Sequence, residues 1–301
     1  MPVIECVPNV SEGRRETIID ALAAAIDAED VDLLDHSSDL SHSRTVYTFV
    51  GEPPSVQAAV LRLFTAAVAL IDLREHEGVH PRIGAVDVVP FVPLRNATME
   101  QCVALAKSTA ALVAERLHVP LFLYEEAAAS DERRSLSEIR RGGIDGISHR
   151  MLQPAWRPDF GPDRPHPTAG ASAIGARPIL IAYNVNLGTT RLGVAKRIAS
   201  AIRASSGGFA HVKAMGVQLD HGVVQVSMNL TDYRETSMVT VFDAIAREAA
   251  ADGVRVLESE IVGLAPSEAL PPDPRRRLKL READLDRVLE TRLERRASSQ
   301  G

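Results

Sequence analysis

Short apolar strands and amphipathic helices alternate along this chain in two runs of the same order. The first run opens with an apolar strand over 3–10 that ends at Ser11-Glu12-Gly13. Ile18, Ile19, Leu22, Ala23 and Ile26 then recur at spacings of three and four, which predicts a helix. Residues 31–34 and 45–50 read as strands, the second rich in β-branched and aromatic side chains. A break at Gly51-Glu52-Pro53-Pro54-Ser55 leads into a second amphipathic helix over 56–73. The second run repeats this order: a strand at 179–187, a helix at 191–205, strands at 212–219 and 223–229 around Asp220-His221-Gly222, a helix at 236–251 and a strand at 255–264. Even the opening strands match, Val7-Pro8-Asn9-Val10 against Ala182-Tyr183-Asn184-Val185. The pattern predicts an α+β fold of two duplicated βαββαβ units of ferredoxin-like type.

Between the runs, the spacing predicts a helix over 98–117, a strand over 119–124 and a short charged helix over 131–141, while Gly142-Gly143 and Gly207-Gly208 read as turns. The stretch from Arg157 to Pro167 is too proline-rich for a helix or a sheet interior. It is either a linker or a loop folded against a ligand groove between the two halves. From Pro271 the chain is rich in Arg and Glu, with one amphipathic stretch at 278–293 followed by a polar, disordered tail.

Composition narrows the function classes. The 301 residues carry 34 basic and 40 acidic side chains, a net charge of −6, which argues against a nucleic-acid binder. With only Cys6 and Cys102, neither a disulfide framework nor a multi-cysteine metal centre is expected. No leader pattern opens the chain and no apolar run nears the roughly 20 residues of a membrane span, so the expectation is a cytoplasmic protein with no membrane partner.

Two clusters can carry chemistry. His76-Glu77-Gly78-Val79-His80 matches H-E-x-x-H, the zinc-hydrolase pattern. That chemistry needs an unbroken helix, whereas Gly78 interrupts this one and Pro81 biases His80 toward extended backbone. A histidine in such an irregular segment, beside Arg82 and Asp87, is instead a candidate acid–base group, since imidazole titrates near neutrality. The second cluster, from Asp35 to Arg44, reads as a loop between strands; His36, His42 and Arg44 give it groups that can receive an anionic substrate.

Several blocks together resemble the glutamate formimidoyltransferase family, in its stand-alone form. They are Glu5 to Gly13, Arg44 to Gly51, His80-Pro81-Arg82-Ile83-Gly84-Ala85-Val86-Asp87, Pro158-Asp159-Phe160-Gly161-Pro162, Gly175-Ala176-Arg177, Tyr183 to Leu187 and Val262-Gly263-Leu264-Ala265-Pro266, in the family's order. The resemblance implies transfer of a formimidoyl group from N-formimidoyl-L-glutamate to tetrahydrofolate, the co-substrate, in histidine degradation, with no metal. It implies a homodimer acting on small molecules. Subdomains would span 1–177 and 178–270, with a charged helical or disordered tail at 271–301. His80 matches the family's catalytic histidine, and Gly161-Pro162-Asp163-Arg164-Pro165-His166-Pro167-Thr168-Ala169-Gly170 matches its folate-binding stretch. Arg44 and Arg82 become candidates for substrate carboxylates, His42 for a further substrate contact, and Asn9, Asn184 and Asn186 for the pterin or amidine. The chain differs from the family's pattern at Ser37, Val79 and Ala169. Two other readings are a folate-binding protein without turnover and a zinc hydrolase built on His76, Glu77 and His80.

Overall fold

The computed structural model describes residues 1–40, 42–75, 82–219 and 222–299, in two compact units, Met1–Arg177 and Pro178–Gly301. In the first, β1 (Val3–Cys6) and β2 (Asn9–Val10) form one strand path interrupted at Val7-Pro8. The interruption lies between the Cys6–Phe91 and Asn9–Val88 pairs, so it faces Val89-Pro90. Neither proline can donate to the ladder. Their carbonyls still accept, from Tyr47 N for Pro8 (3.0 Å) and from Val7 N for Pro90 (3.3 Å).

Helix α1 (Glu16–Asp27) buries Ile19, Leu22 and Ile26. It leads to β3 (Val31–Asp39), β4 (Arg44–Gly51) and α2 (Pro53–Leu70), which starts on proline because φ there is preset and no N–H is needed. Helix α2 is long and apolar enough to cross a membrane, but Val56, Ala59, Val60, Leu63, Phe64 and Ala67 form a buried stripe at spacings of three and four, the mark of a core-facing helix. Strand β5 (Val86–Arg95) follows, then α3 (Met99–Leu117), opened by a capping box between Thr98 and Gln101, then β6 (Leu121–Glu125). Helices α4 (Leu136–Ile139) and α5 (Gly143–Arg150) and strand β7 (Ser172–Ala176) complete the unit. The sheet order is β3–β4–β1/β2–β5–β7–β6, antiparallel up to β5 and parallel from there.

Two expectations need correction in this unit. The polar run from Asp35 is strand rather than loop: Asp35, His36, Ser37, Ser38 and Asp39 pair with Thr48, Tyr47, Val46, Thr45 and Arg44. Strand β3 lies at the sheet edge, where exposed positions are polar, and that polarity hides the extension. The charged stretch 131–141 is a 3-10 turn (Asp131–Arg133) followed by α4, not one helix. The Gly142-Gly143 pair, both at positive φ, opens α5.

The second unit runs β8 (Ile181–Leu187), α6 (Leu192–Ile202), β9 (Val212–Gln218), β10 (Val224–Leu230), α7 (Met238–Ala251) and β11 (Val256–Val262). Its antiparallel sheet is ordered β11–β8–β10–β9. The expected turn at 220–222 falls partly on residues outside those described. Taken in chain order, four strands lie second, third, first, fourth in both units, as β3–β4–β1/β2–β5 and as β9–β10–β8–β11.

The amphipathic stretch 278–293 is not a single helix. After α8 (Pro274–Leu278) the chain turns at Lys279, with φ of 51°, and runs along the outer edge of β11 before α9 (Leu289–Ser299). Ser259 N donates to Lys279 O (2.9 Å), Arg281 N to Ser259 O (3.1 Å) and Leu289 N to Ala265 O (3.0 Å). Asp284 is fully buried between the Nε atoms of Arg281 and Arg287, each 2.9 Å away. The segment covers an edge that would otherwise offer unpaired backbone groups.

Candidate functional site

One end of the first unit gathers most of the residues singled out from the sequence. Ser11 donates through N to Ala85 O (2.8 Å) and through Oγ to Gly84 O (2.7 Å). On the other side of the same short segment, Ala85 N donates to Ala169 O (2.9 Å) and Ala171 N to Ile83 O (2.8 Å), around a Gly84–Gly170 bridge. Leu73 N donates to Thr168 O (2.9 Å). Residues 168–171 therefore bond to chain on both sides of 76–81: to Leu73 before it, and to Ile83 and Ala85 after it. Both glycines are required by this close approach. A Cβ on Gly84 would lie 1.8 Å from Ala171 O, and one on Gly170, at φ of 70°, 2.3 Å from Ile83 O.

His80, with His76 and Glu77, lies outside the described residues, so the site is read from its flanks. Arg82 is half-buried; burial pulls its guanidinium below the ordinary value, which Asp87 opposes and Arg14 reinforces. His42 and Arg44 sit on the β3–β4 turn, against Gly13, whose Cβ would meet Arg44 N and Asp39 O at 2.4 Å. Asp39 accepts from His42 N (2.8 Å) and lies 2.9 Å from His42 Nδ1. Burial raises the Asp39 pKa, but the hydrogen bonds from His42 and the charge of Arg44 outweigh it and hold the carboxyl at about 2. An anionic substrate at His42 and Arg44 therefore meets a carboxylate already in place. Asn9, on β2, donates to Val7 O (3.3 Å).

The stretch 161–170 is fixed at both ends. Ahead of it, Asp159 accepts from Leu123 N (2.8 Å) and takes both terminal nitrogens of Arg133 (3.1 and 3.0 Å). At its far end His166 and Gly170 exchange backbone hydrogen bonds (2.7 and 3.0 Å). The His166 ring Nδ1 accepts from Ala169 N (3.0 Å) and Thr168 N (3.3 Å), the arrangement of a neutral imidazole. Burial, with His118 nearby, lowers the His166 pKa in the same sense. Ala169 is buried within this turn, while Asp163 and Arg164 are exposed. The turn thus presents polar groups on a fixed backbone.

Asn184 and Asn186 belong to the second unit, on the face of β8 opposite its core. Asn184 Nδ2 donates to Glu260 Oε1 (2.9 Å), and Asn186 Nδ2 to Glu258 Oε1 (3.1 Å). Gln225 Nε2 donates to both Asn186 Oδ1 (2.9 Å) and Glu260 Oε1 (3.0 Å), and Arg281 pairs with Glu260 Oε2 (2.6 Å). The two asparagine amides are thus engaged with neighbouring strands, and a ligand reaching them must exchange with those carboxylates.

Sequence reasoning passed over Glu5 as an individual residue. It is almost wholly buried on β1, where burial pushes its carboxyl up to about 7 against the pull of Arg177. Between pH 4.5 and 7 the folded state keeps a proton that the unfolded chain has lost, so stability falls as pH rises through that window. Glu5→Gln is expected to flatten this slope, shrinking the stability difference between pH 5 and pH 8 by about 2–3 kcal/mol. Denaturant midpoints at the two pH values check it; parallel profiles for both proteins would remove Glu5 as the source. Ser11, Arg133 and Arg140 were also passed over. Ser11 and Asp159 stand inside recognisable sequence blocks, but Arg133 and Arg140 lie in an ordinary charged stretch.

Residues 3–177 match the formiminotransferase domain, N-terminal subdomain, and residues 182–272 the formiminotransferase domain. The chain is 44% identical to the glutamate formimidoyltransferase of Streptococcus pyogenes, over 89% of this chain and 90% of that one. It is 43% identical to the glutamate formimidoyltransferase of Thermoplasma acidophilum, over 99% of each chain. A formimidoyltransferase-cyclodeaminase of Dictyostelium discoideum is 46% identical over 89% of this chain, which spans about half (51%) of that relative's length. With both of its units matched in order and these identities sustained over most of its length, the chain belongs to the formiminotransferase family.

Proposed function

We propose that this protein is a glutamate formimidoyltransferase, moving the formimidoyl group of N-formimidoyl-L-glutamate to N5 of tetrahydrofolate in histidine degradation. The relatives' names carry the reaction class. The observation that supports this arrangement of the site is the bonding of residues 168–171 to Leu73, Ile83 and Ala85, which brings the folate-matching stretch against the chain on either side of 76–81. In this reading 1–177 and 178–270 are duplicated ferredoxin-like subdomains, a view supported by the common strand order. The partners are small molecules, and the active form is a homodimer.

Folate N5 attacks the amidine carbon and forms a tetrahedral intermediate; the bond from that carbon to the glutamate nitrogen then breaks. N5 loses one proton and the departing amine gains one. His80 takes the first and returns it to the second, so a single imidazole serves both steps and the proton balance closes. Binding both substrates beside it contributes the proximity effect. In this reading Arg82, half-buried just ahead of the buried run 83–92, receives a substrate carboxylate through a bidentate pair.

The test is turnover of N-formimidoyl-L-glutamate with tetrahydrofolate by the purified protein in the presence of a chelator, with the folate product followed by absorbance after acid conversion. Turnover is expected, and its persistence with chelator separates this chemistry from a zinc hydrolase on His76, Glu77 and His80. Folate binding by a folded protein without turnover would replace the reading with that of a non-catalytic folate binder.

A further inference from the structure

The 46 residues between β6 and β7, 126–171, have 18 in short helices and helical turns, and two of their arginines, Arg133 and Arg140, hold carboxylates that flank the two site segments. Arg133 forms a two-pronged pair with Asp159, at 3.1 and 3.0 Å, and its Nη1 also donates to Arg157 O (2.9 Å). Asp159 stands two residues before Gly161. Arg140 pairs with Asp87, whose other oxygen accepts from Ile83 N (2.8 Å). Ile83 stands three residues after His80. Arg133 and Asp87 are buried and their partners largely so: side-chain exposure is 10% for both Arg133 and Asp159, 15% for Arg140 and 2% for Asp87.

The scaffold between the arginines is itself tied down. Arg150, on α5, donates to Ile139 O (2.7 Å), to Arg141 O (3.0 Å) and to Glu138 O, which closes the end of α4 onto α5. The Trp156 ring lies 4.3 Å from the Arg150 guanidinium. Ile139, Ile147 and Met151 pack with Ile83, Phe122, Tyr124 and Ala171 in a small core of their own. Arg140, between Ile139 and Arg141, is thus fixed from behind, and Arg140 and Arg133 each hold one segment from the front.

We propose that this insertion is a bracket in which Arg140 sets the place of the 83–87 segment that follows His80 in sequence and Arg133 that of the start of the folate-matching stretch, making both positioning residues of the transfer reaction. The inference rests on the assignment of those two segments under the proposed function. Largely buried arginine–carboxylate pairs can fix orientation more than they add stability, and a displacement of about 1 Å at a reacting group costs on the order of 10²-fold in rate. The two pairs act on different partners of the reaction, so their loss has different kinetic signatures. A pair that only supported the fold would lower everything together.

The experiment compares Arg133→Met and Arg140→Met with the unaltered protein, by amide hydrogen exchange and by steady-state kinetics well below the unfolding temperature. Arg140→Met is expected to speed exchange at 83–85 but not at 161–166, and to lower kcat about 10- to 100-fold with tetrahydrofolate Kd within about twofold. Arg133→Met is expected to speed exchange at 161–166 and to raise tetrahydrofolate Kd about tenfold, with kcat at saturation largely kept. Arg→Lys at each position restores part of the loss, because the charge returns without the planar guanidinium. Should either methionine variant fail to fold, Asp159→Asn and Asp87→Asn read the same split from the acidic side. Uniform exchange changes, or equal loss of kcat and affinity in both variants, would overturn the bracket. An unaltered protein without turnover counts against the proposed function instead, and the exchange pattern still decides whether the bracket exists.

Discussion

Replacing His80 with alanine is expected to slow formimidoyl transfer about 10²- to 10⁴-fold while leaving tetrahydrofolate affinity within a few-fold. The reasoning starts from the protons. N5 cannot complete its attack on the amidine carbon with its proton in place, and the glutamate amine leaves poorly as an anion. In the absence of a positioned group, both transfers fall to water, and the lost factor corresponds to roughly 3–5 kcal/mol of transition-state stabilisation. Folate affinity is spared because the folate-matching stretch is held by other contacts: Asp159 to Arg133 at its head, His166 to Ala169 at its far end, and Ala169 to Ala85 across the bridge. Single-turnover rates and equilibrium binding by the same protein separate the two effects. A His80→Ala protein with near-normal rates would end the acid–base mechanism, and one that also loses folate would move the histidine into the binding surface.

The elements that could be read from the chain are those whose own side chains carry the pattern. Alternation in β8, with Tyr183, Val185 and Leu187 buried in the core, is complete within seven residues. The Thr98–Gln101 capping box likewise announces α3 locally. The elements that escaped depend on neighbours. Strand β5 contains Pro90 and Pro93, and stays a strand because β1 and β7 pair with it where no N–H is needed. Strand β7 is Ser-Ala-Ile-Gly-Ala, with little β propensity of its own; it exists because β5 and β6 enclose it on both sides. At the site the same division holds. Sequence blocks point to the His80 and folate segments, but the contact between them joins Ala85 to Ala169, and the Arg140–Asp87 pair joins residues 53 apart. Nothing within a short window encodes such pairings, and a charged stretch reads as solvated surface until its partner is known.

Adding one methyl group at Gly84 is expected to damage both stability and site, because backbone crowds that position from two directions. The new Cβ would lie 1.8 Å from Ala171 O and 2.9 Å from Val86 O. Neither oxygen is the end of a flexible side chain, so the relief is to move 83–85 away from 169–171. That movement breaks the hydrogen bonds from Ala85 N to Ala169 O and from Ala171 N to Ile83 O, and strains the one from Ser11 Oγ to Gly84 O. Gly84, Ala85, Ala169 and Ala171 are all buried, so water does not replace the lost partners. At about 1–3 kcal/mol for each buried group left unsatisfied, two broken bonds cost on the order of 2–6 kcal/mol, a large part of the 5–15 kcal/mol typical of a domain. The thermal midpoint should fall by roughly 5–20 °C. Whatever protein remains folded should bind tetrahydrofolate more weakly, since the same movement shifts the folate-matching stretch. Gly193→Ala, in α6 with open space around its Cβ, is the control and should be neutral or stabilising by up to about 1 kcal/mol. If Gly84→Ala instead melts and binds folate like the control, the two segments do not meet at this glycine, and the contact that joins the His80 flank to the folate stretch has to be sought elsewhere.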